Sequence, residues 1–208
     1  MNISTLLIDL DDTVYPANMQ VWQLVMKRMY TYMHTHLGIP AEEVPTMRDR
    51  LFNRYGTTLR GLQIERGIDA KAYLDYVHDV DLSGILTPDP ALRAALDRIT
   101  LPKIIFTNAC ESHAHNVLGC MELKDCFDAI IDVMAVQPYC KPEPEAYHIA
   151  LQLAGSPDPR EVLMVDDRSE NLATAAKLGI QTILVSDQPQ DGFRVIQRLA
   201  QLPDLLGS

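Results

Sequence analysis

This sequence predicts an open α/β fold: a Rossmann-like parallel sheet with helices on both faces and a small helical domain inserted near its start. Three observations predict it. Five short apolar runs read as buried strands, amphipathic stretches alternate with them from residue 100 onward, and about ninety residues part the first run from the second. A parallel crossover needs only about a dozen residues and commonly uses about thirty. The surplus predicts the insert.

The expected strands are residues 6–8, 103–106, 129–133, 162–165 and 182–185. Within the insert, Trp22, Val25, Met26, Met29, Met33 and Leu37 recur at helical spacing. Pro40 with Glu42 and Glu43 opens a second helix, because proline suits a first turn and acidic side chains complement the helix N-terminus. Residues 58–66 and 69–78 read as two more helices. The methionine and aromatic stripe is expected to be packing between these helices. The Pro88-Asp89-Pro90 stretch then returns the chain to the sheet through one further helix. The expected division is a Rossmann-like catalytic core of residues 1–17 and 87–208 and a helical cap of residues 18–86, which leaves the sheet where a lid would.

The chain has 208 residues, 28 acidic and 18 basic, for a formal net charge of −10. That length is ample for a buried core. The acidic balance, without a block of Lys or Arg, disfavours a nucleic-acid polymer or an anionic membrane as partner and favours a small polar substrate. No apolar run approaches the roughly 18 residues of a membrane span, and the N-terminus lacks a secretory pattern. Cys110, Cys120, Cys126 and Cys140 form no CxxC pair and read as reduced thiols of a cytoplasmic chain.

The chemistry is written at strand ends. Asp9, Asp11 and Asp12 follow the first apolar run, and Asp166 and Asp167 follow the fourth. If those strands are neighbours, the carboxylates converge, and their repulsion in a partly desolvated cleft calls for a cation. An all-oxygen donor set selects Mg²⁺ over Zn²⁺. Each acid cluster alone would serve as a helix cap or loop. Placement adds meaning, because Thr107-Asn108 ends another strand and Lys141 lies in a loop before a helix. Together these groups supply a nucleophile, a proton shuttle, a metal cage, a phosphate donor and a counter-cation, which are the parts phosphoryl transfer needs.

The set Asp9-x-Asp11-x-Thr13, Thr107-Asn108, Lys141 and Asp166-Asp167, in that order, resembles the haloacid-dehalogenase-like hydrolase superfamily over nearly the whole chain, in its helical-cap subgroup. The segments Tyr55-Gly56-Thr57-Thr58-Leu59-Arg60-Gly61-Leu62, Tyr73 to Asp79, Thr107-Asn108-Ala109 followed by His113-Ala114, and Lys141-Pro142-Glu143-Pro144 look like its pyrimidine 5′-nucleotidase branch. The sequence departs from that branch at Arg168, where a small residue is common, and at Glu65-Arg66, near an expected His.

The resemblance implies a Mg²⁺-dependent hydrolase of a small phosphomonoester, a nucleoside 5′-monophosphate such as UMP or CMP leading. It makes Asp9 the nucleophile and Asp11 the general acid and base. Asp9, the backbone carbonyl of Asp11 and Asp167 would hold the metal, with Asp166 and Asn171 behind them. Thr107, Asn108 and Lys141 would meet the phosphoryl oxygens. Tyr55, Thr58 and His78 are the candidates for contacting the nucleoside. Alternatives are a sugar phosphate, phosphoglycolate or similar substrate, carbon-halogen hydrolysis on the same fold, and a catalytically silent binding protein. Cys110, His113, His115 and Cys120 match no common zinc spacing, and Cys110 with His113 as a thiol nucleophile would leave the carboxylates unexplained.

Overall fold

The computed structural model describes residues 2–206. Its strands are β1 (Thr5–Ile8), β2 (Lys103–Phe106), β3 (Ala129–Ile131), β4 (Val162–Asp166), β5 (Gln181–Val185) and β6 (Arg194–Ile196). They form one sheet in the order β3-β2-β1-β4-β5-β6, every neighbouring pair parallel. Helices α1 (Val21–Thr35), α2 (Val44–Tyr55), α3 (Thr58–Arg66) and α4 (Ala70–Val77) lie between β1 and β2, and α5 (Pro90–Asp97) leads into β2. The remaining connections carry α6 (Glu111–Cys120), α7 (Pro144–Leu153) and α8 (Ser169–Lys177), and α9 (Leu202–Leu206) follows β6. This is the Rossmann-like α/β class that the alternation predicts.

Strand periodicity divides the core into two layers. Leu6, Ile8, Ile105, Leu163 and Val165 pack on one face with Leu92, Leu96, Ala114 and Val117 of α5 and α6. Leu7, Ile104, Phe106 and Met164 pack on the other with Ala146, Tyr147, Leu172 and Ala175 of α7 and α8. Each fully buried Leu or Ile contributes about 1.5–3 kcal/mol, which fixes the register, since a one-residue slip would turn every side chain to the wrong layer.

Helices α1 to α4 gather a third cluster around Val25, Met29, Met33, Leu51, Leu62, Tyr73 and Val77, and this cluster includes Cys110, Val133 and Cys140 from the loops beyond the sheet. The methionine and aromatic stripe is therefore packing, as expected, with Tyr32 edge-on to Tyr73 at 5.0 Å between centroids. Val21, Leu82 and Leu86, inside the expected 18–86 segment, instead pack with the sheet.

Some expected bounds shift for local reasons. The second helix starts at Val44 rather than at Pro40, with Pro45 in its first turn, where a missing N–H costs nothing. The strand expected over 129–133 stops at Ile131, because the Asp132 carboxylate accepts hydrogen bonds from the N–H groups of Glu111 and Ala135 and turns the chain. Strand β6, unannounced in the sequence, is three residues long at the sheet edge, too short to display an alternation.

Candidate active site

The sheet order reverses direction between β1 and β4, which pair in register Ile8↔Val165. In doubly wound sheets a crevice opens at such a point beyond the carboxyl ends of the strands. The two acid clusters thus do belong to neighbouring strands. Asp9 extends the pairing by one residue, its N–H donating to the Val165 carbonyl at 2.9 Å. The chain then turns sharply: Val14 N–H returns to the Leu10 carbonyl at 2.9 Å, and Asp12 sits at φ 60°, a left-handed conformation that Asp tolerates better than most residues.

Lys141 is the centre of the buried charge. It is 1 % exposed, and its Nζ donates to Asp9 Oδ1 at 2.7 Å, Asp166 Oδ2 at 2.8 Å and the Phe106 carbonyl at 2.7 Å. Those bonds use all three ammonium protons, so Lys141 serves here as counter-cation to Asp9 and Asp166. A direct contact to phosphate would require exchanging one of them. Asn108 fixes the Lys141 backbone on both sides, its Nδ2 donating to the Lys141 carbonyl and its Oδ1 accepting from the Lys141 N–H, each at 2.9 Å.

Asp166 is saturated. Its oxygens accept from Lys141, from Asn171 Nδ2 at 2.9 and 3.0 Å and from the Arg168 N–H at 2.8 Å. Asn171 is itself anchored, its carbonyl accepting from Tyr147 Oη at 2.8 Å. Asp9 Oδ2 accepts from the Thr13 hydroxyl at 3.2 Å. Thr107, 1 % exposed, accepts from the Ala109 N–H at 3.0 Å, which leaves its own hydroxyl proton for an outside acceptor.

Carboxylate oxygens of Asp9, Asp166 and Asp167 lie within 4.8 Å of one another. Burial raises Asp9 well above the ordinary carboxylate range, with Asp166 and Asp167 reinforcing it against the Lys141 charge. Burial opposes the Lys141 ammonium, but Asp166 and Asp9 outweigh it and hold Lys141 above its ordinary value. Burial, then Asp166 and Asp12, push Asp167 up to about 7, and burial with Asp11 pushes Asp12 up to about 6. Strained acids with hard oxygens are the donor set of a small divalent cation. With Asp166 saturated, Asp9 and Asp167 are the side chains left to hold one.

Asp11 has a different environment. Its Oδ1 accepts from both His113 Nε2, at 2.8 Å, and the Tyr15 hydroxyl. Burial works against its charge, but the nearby His113 and the hydrogen bonds from His113 and Tyr15 prevail and hold Asp11 at about 2. Neither partner was a candidate from sequence. His113 stood out there only within the rejected cysteine–histidine groupings, and its one positive signal was the His113-Ala114 pair beyond Thr107-Asn108-Ala109. Of the imagined zinc set, His115 points away, with half its side chain exposed and its Nε2 3.6 Å from Glu111.

A cavity of about 260 Å³ opens over these groups, lined by Asp9, Asp11, Thr107, Lys141 and Asp167 below and by Trp22, Arg48, Phe52, Thr58 and His78 from the helical segment above. Thr58 is 1 % exposed, and its hydroxyl has no partner among the described residues. His78 Nδ1 lies 3.0 Å from Cys110 Sγ, and its ring stacks on His113 at 4.4 Å, so its polar edge is already engaged. Burial, with His113 beside it, pushes His78 down to about 3. Tyr55 is a correction: it does not line the cavity, because its hydroxyl is drawn outward to Glu65 Oε1 at 3.1 Å, next to the Arg50–Glu65 pair. Arg168 reaches over the Phe52 ring at 4.6 Å and joins the core loop to α2.

A family model described as haloacid dehalogenase-like hydrolase matches residues 3–179. Phosphate metabolism protein 8 of Saccharomyces cerevisiae is 23 % identical over 206 residues, covering 91 % of this chain, which spans 64 % of that protein's length. A HAD phosphatase from Thermococcus onnurineus has a similar structure, with TM-score 0.67, 18 % identity and coverage of 99 % and 98 % of the two chains. The HAD-hydrolase YfnB from Bacillus subtilis, bound to magnesium, superposes with TM-score 0.63 at 15 % identity over 100 % of both chains. The L-2-haloacid dehalogenase from Xanthobacter autotrophicus does so with TM-score 0.61 at 17 % identity over 99 % of both. Likenesses at these identities are likenesses of fold.

Proposed function

This chain belongs to the haloacid dehalogenase-like hydrolases, and from that premise we propose that it is a Mg²⁺-dependent phosphomonoesterase whose preferred substrates are pyrimidine 5′-monophosphates. The observation that carries the reading is the pairing of Asp9, stripped of solvent beside Lys141, with a second carboxyl group, Asp11, facing the same cavity. Carbon-halogen hydrolysis gives Asp11 no task, because a departing halide takes no proton.

In the proposed reaction an Asp9 carboxylate oxygen bonds to phosphorus as the bond from phosphorus to the ester oxygen breaks, and Asp11 gives its proton to that oxygen. A water then bonds to phosphorus, Asp11 takes its proton, and the bond to Asp9 breaks, restoring both acids and releasing inorganic phosphate. Asp11, held down at about 2 without substrate, must bind its proton as the phosphoryl group arrives. The Thr107 hydroxyl and the Asn108 backbone N–H would meet the equatorial oxygens, and Lys141 balances the charge. Asp9, Asp167 and the Asp11 carbonyl would hold Mg²⁺, which offsets the crowded acids and the phosphoryl charge. Asp166 and Asn171 keep Lys141 and the loop in place.

We assign the cap role to residues 18–86, supported by the separate hydrophobic cluster of α1 to α4 and by their side chains roofing the cavity. The nucleoside would lie against Trp22 and Phe52, with the unpartnered Thr58 hydroxyl available to it. The four cysteines, all free, suit a reducing cytoplasm, and among the described residues no helix is long and apolar enough to cross a membrane. A sugar phosphate or another small phosphoester is the second reading.

Phosphate release from UMP and CMP is expected to need Mg²⁺, to stop with chelator, and to fall by on the order of 10⁴-fold or more in Asp9→Asn. Equal turnover of unrelated phosphoesters would overturn the nucleotide assignment, and activity retained in Asp9→Asn would overturn the nucleophile.

A further inference from the structure

Asp11 is held by one edge. His113 and Tyr15 both donate to Oδ1, and no side chain of the described residues bonds Oδ2. Both donors are buried, His113 at 1 % and Tyr15 at 2 % exposure, whereas the Asp11 side chain they hold is 31 % exposed. Each donor is in turn fixed. Tyr15 lies four residues beyond Asp11 in the same turn. His113 sits in the first turns of α6, whose N-terminus is tied to Asp132 through the Glu111 N–H at 2.9 Å. The His113 ring plane is set by the His78 ring, 4.4 Å away and tilted by 25°. Because a carboxylate accepts, His113 Nε2 carries the hydrogen in this bond.

We propose that His113, together with Tyr15, is the positioning element for Asp11. The two buried donors pin one carboxylate oxygen, so that the other is presented to the ester oxygen in the first displacement and to the attacking water in the second. His113 touches neither substrate nor phosphorus and acts through Asp11 alone. An acid misplaced by about 1 Å costs about 10²-fold in rate, which is the scale of the effect expected. This inference builds on the phosphomonoesterase reading.

The test uses two phosphomonoesters, an alkyl phosphate whose alcohol must be protonated to leave and p-nitrophenyl phosphate whose phenolate needs no proton. In His113→Leu, kcat for the alkyl phosphate should fall about 10²-fold with KM changed less than about twofold. The first turnover of p-nitrophenyl phosphate should slow by less than about fivefold. It should then appear as a burst of one nitrophenolate per active site, because breakdown of the Asp9 acyl phosphate needs Asp11 as base. His113→Gln, whose amide N–H reaches close to the Nε2 position, should recover at least about tenfold of the alkyl-phosphate rate.

A residue that merely fills space would slow the first turnover of both substrates alike, with no burst and no advantage of Gln over Leu, and that result overturns the proposal. Should His113→Leu fail to fold, Tyr15→Phe removes one hydroxyl and must show the same split between substrates. A wild-type ratio of the two rates in that variant overturns the proposal equally. Wild-type protein without turnover of any phosphomonoester would reject the phosphatase reading itself and this inference with it.

Discussion

Lys141 shows what a single residue contributes here. A buried ammonium is costly unless paired, and this one meets two carboxylates and a carbonyl within 2.8 Å. Replacing it with Met keeps the stem but leaves Asp9 and Asp166 buried and facing each other. Such removal of one partner costs about 3–5 kcal/mol, so Lys141→Met should lower the denaturation midpoint and abolish turnover. Adding Asp166→Asn should recover part of the stability and none of the activity, as urea titration and a phosphate assay would show.

At the same scale, the sequence displays which acids exist and that they end strands, because an apolar run followed by Asp is visible in one dimension. It does not display which acid is saturated and which is free. That difference between Asp166 and Asp167 is made by Asn171, Lys141 and the turn at Arg168. The partners of Asp11 were illegible for a similar reason. His113 lies 102 residues away, and a histidine on a helix carries no mark of what it faces.

Among elements, the connection from α2 to α3 is a close joint between the helical segment and the sheet's loops. Gly56 ends α2 at φ 82°, and a Cβ there would stand 2.9 Å from Pro142 Cδ and 3.4 Å from the Lys141 carbonyl. Cys140 Sγ lies 3.8 Å from the Thr57 hydroxyl. Gly56→Ala combines a strained backbone with a clash and should cost about 1–3 kcal/mol. It should also shift Lys141, so activity should fall further than stability, measured as kcat at a temperature where the variant is fully folded. The expected helices 58–66 and 69–78 match α3 and α4 to within a residue, since helix-forming pattern is a local signal. That Gly56 docks the helices on the lysine loop while the Tyr55 hydroxyl turns to Glu65 is a tertiary fact, absent from any spacing.

Over the whole molecule, the pH response is set by groups whose burial changes on folding. Burial holds His78 down to about 3, below its unfolded value near 6.5. The unfolded chain therefore binds a proton that the native chain refuses, and the stability this position contributes is lost as pH falls from about 6.5 toward 3. Asp12 and Asp167 are shifted upward and have the opposite sign. They are common to wild type and a His78→Phe variant, and so cancel in the difference. Wild-type stability minus that of His78→Phe should decline by about 1.4 kcal/mol per pH unit across this window. A flat difference in urea midpoints between pH 6 and pH 4 would show that His78 is protonated in the native state. The alternation of strands and helices, and the long gap after β1, disclosed the architecture at this scale, because both are properties of chain order.

The abutment of Gly56 on Pro142 also bears on recombination. A chimera that imports another relative's roof helices imports a new neighbour for the lysine loop with them. Exchanges cut on either side of residues 55–57 would have to carry the facing Cys140-Lys141-Pro142 along as one cassette, so the smallest transplantable unit of the helical segment is discontinuous in the gene although continuous in space.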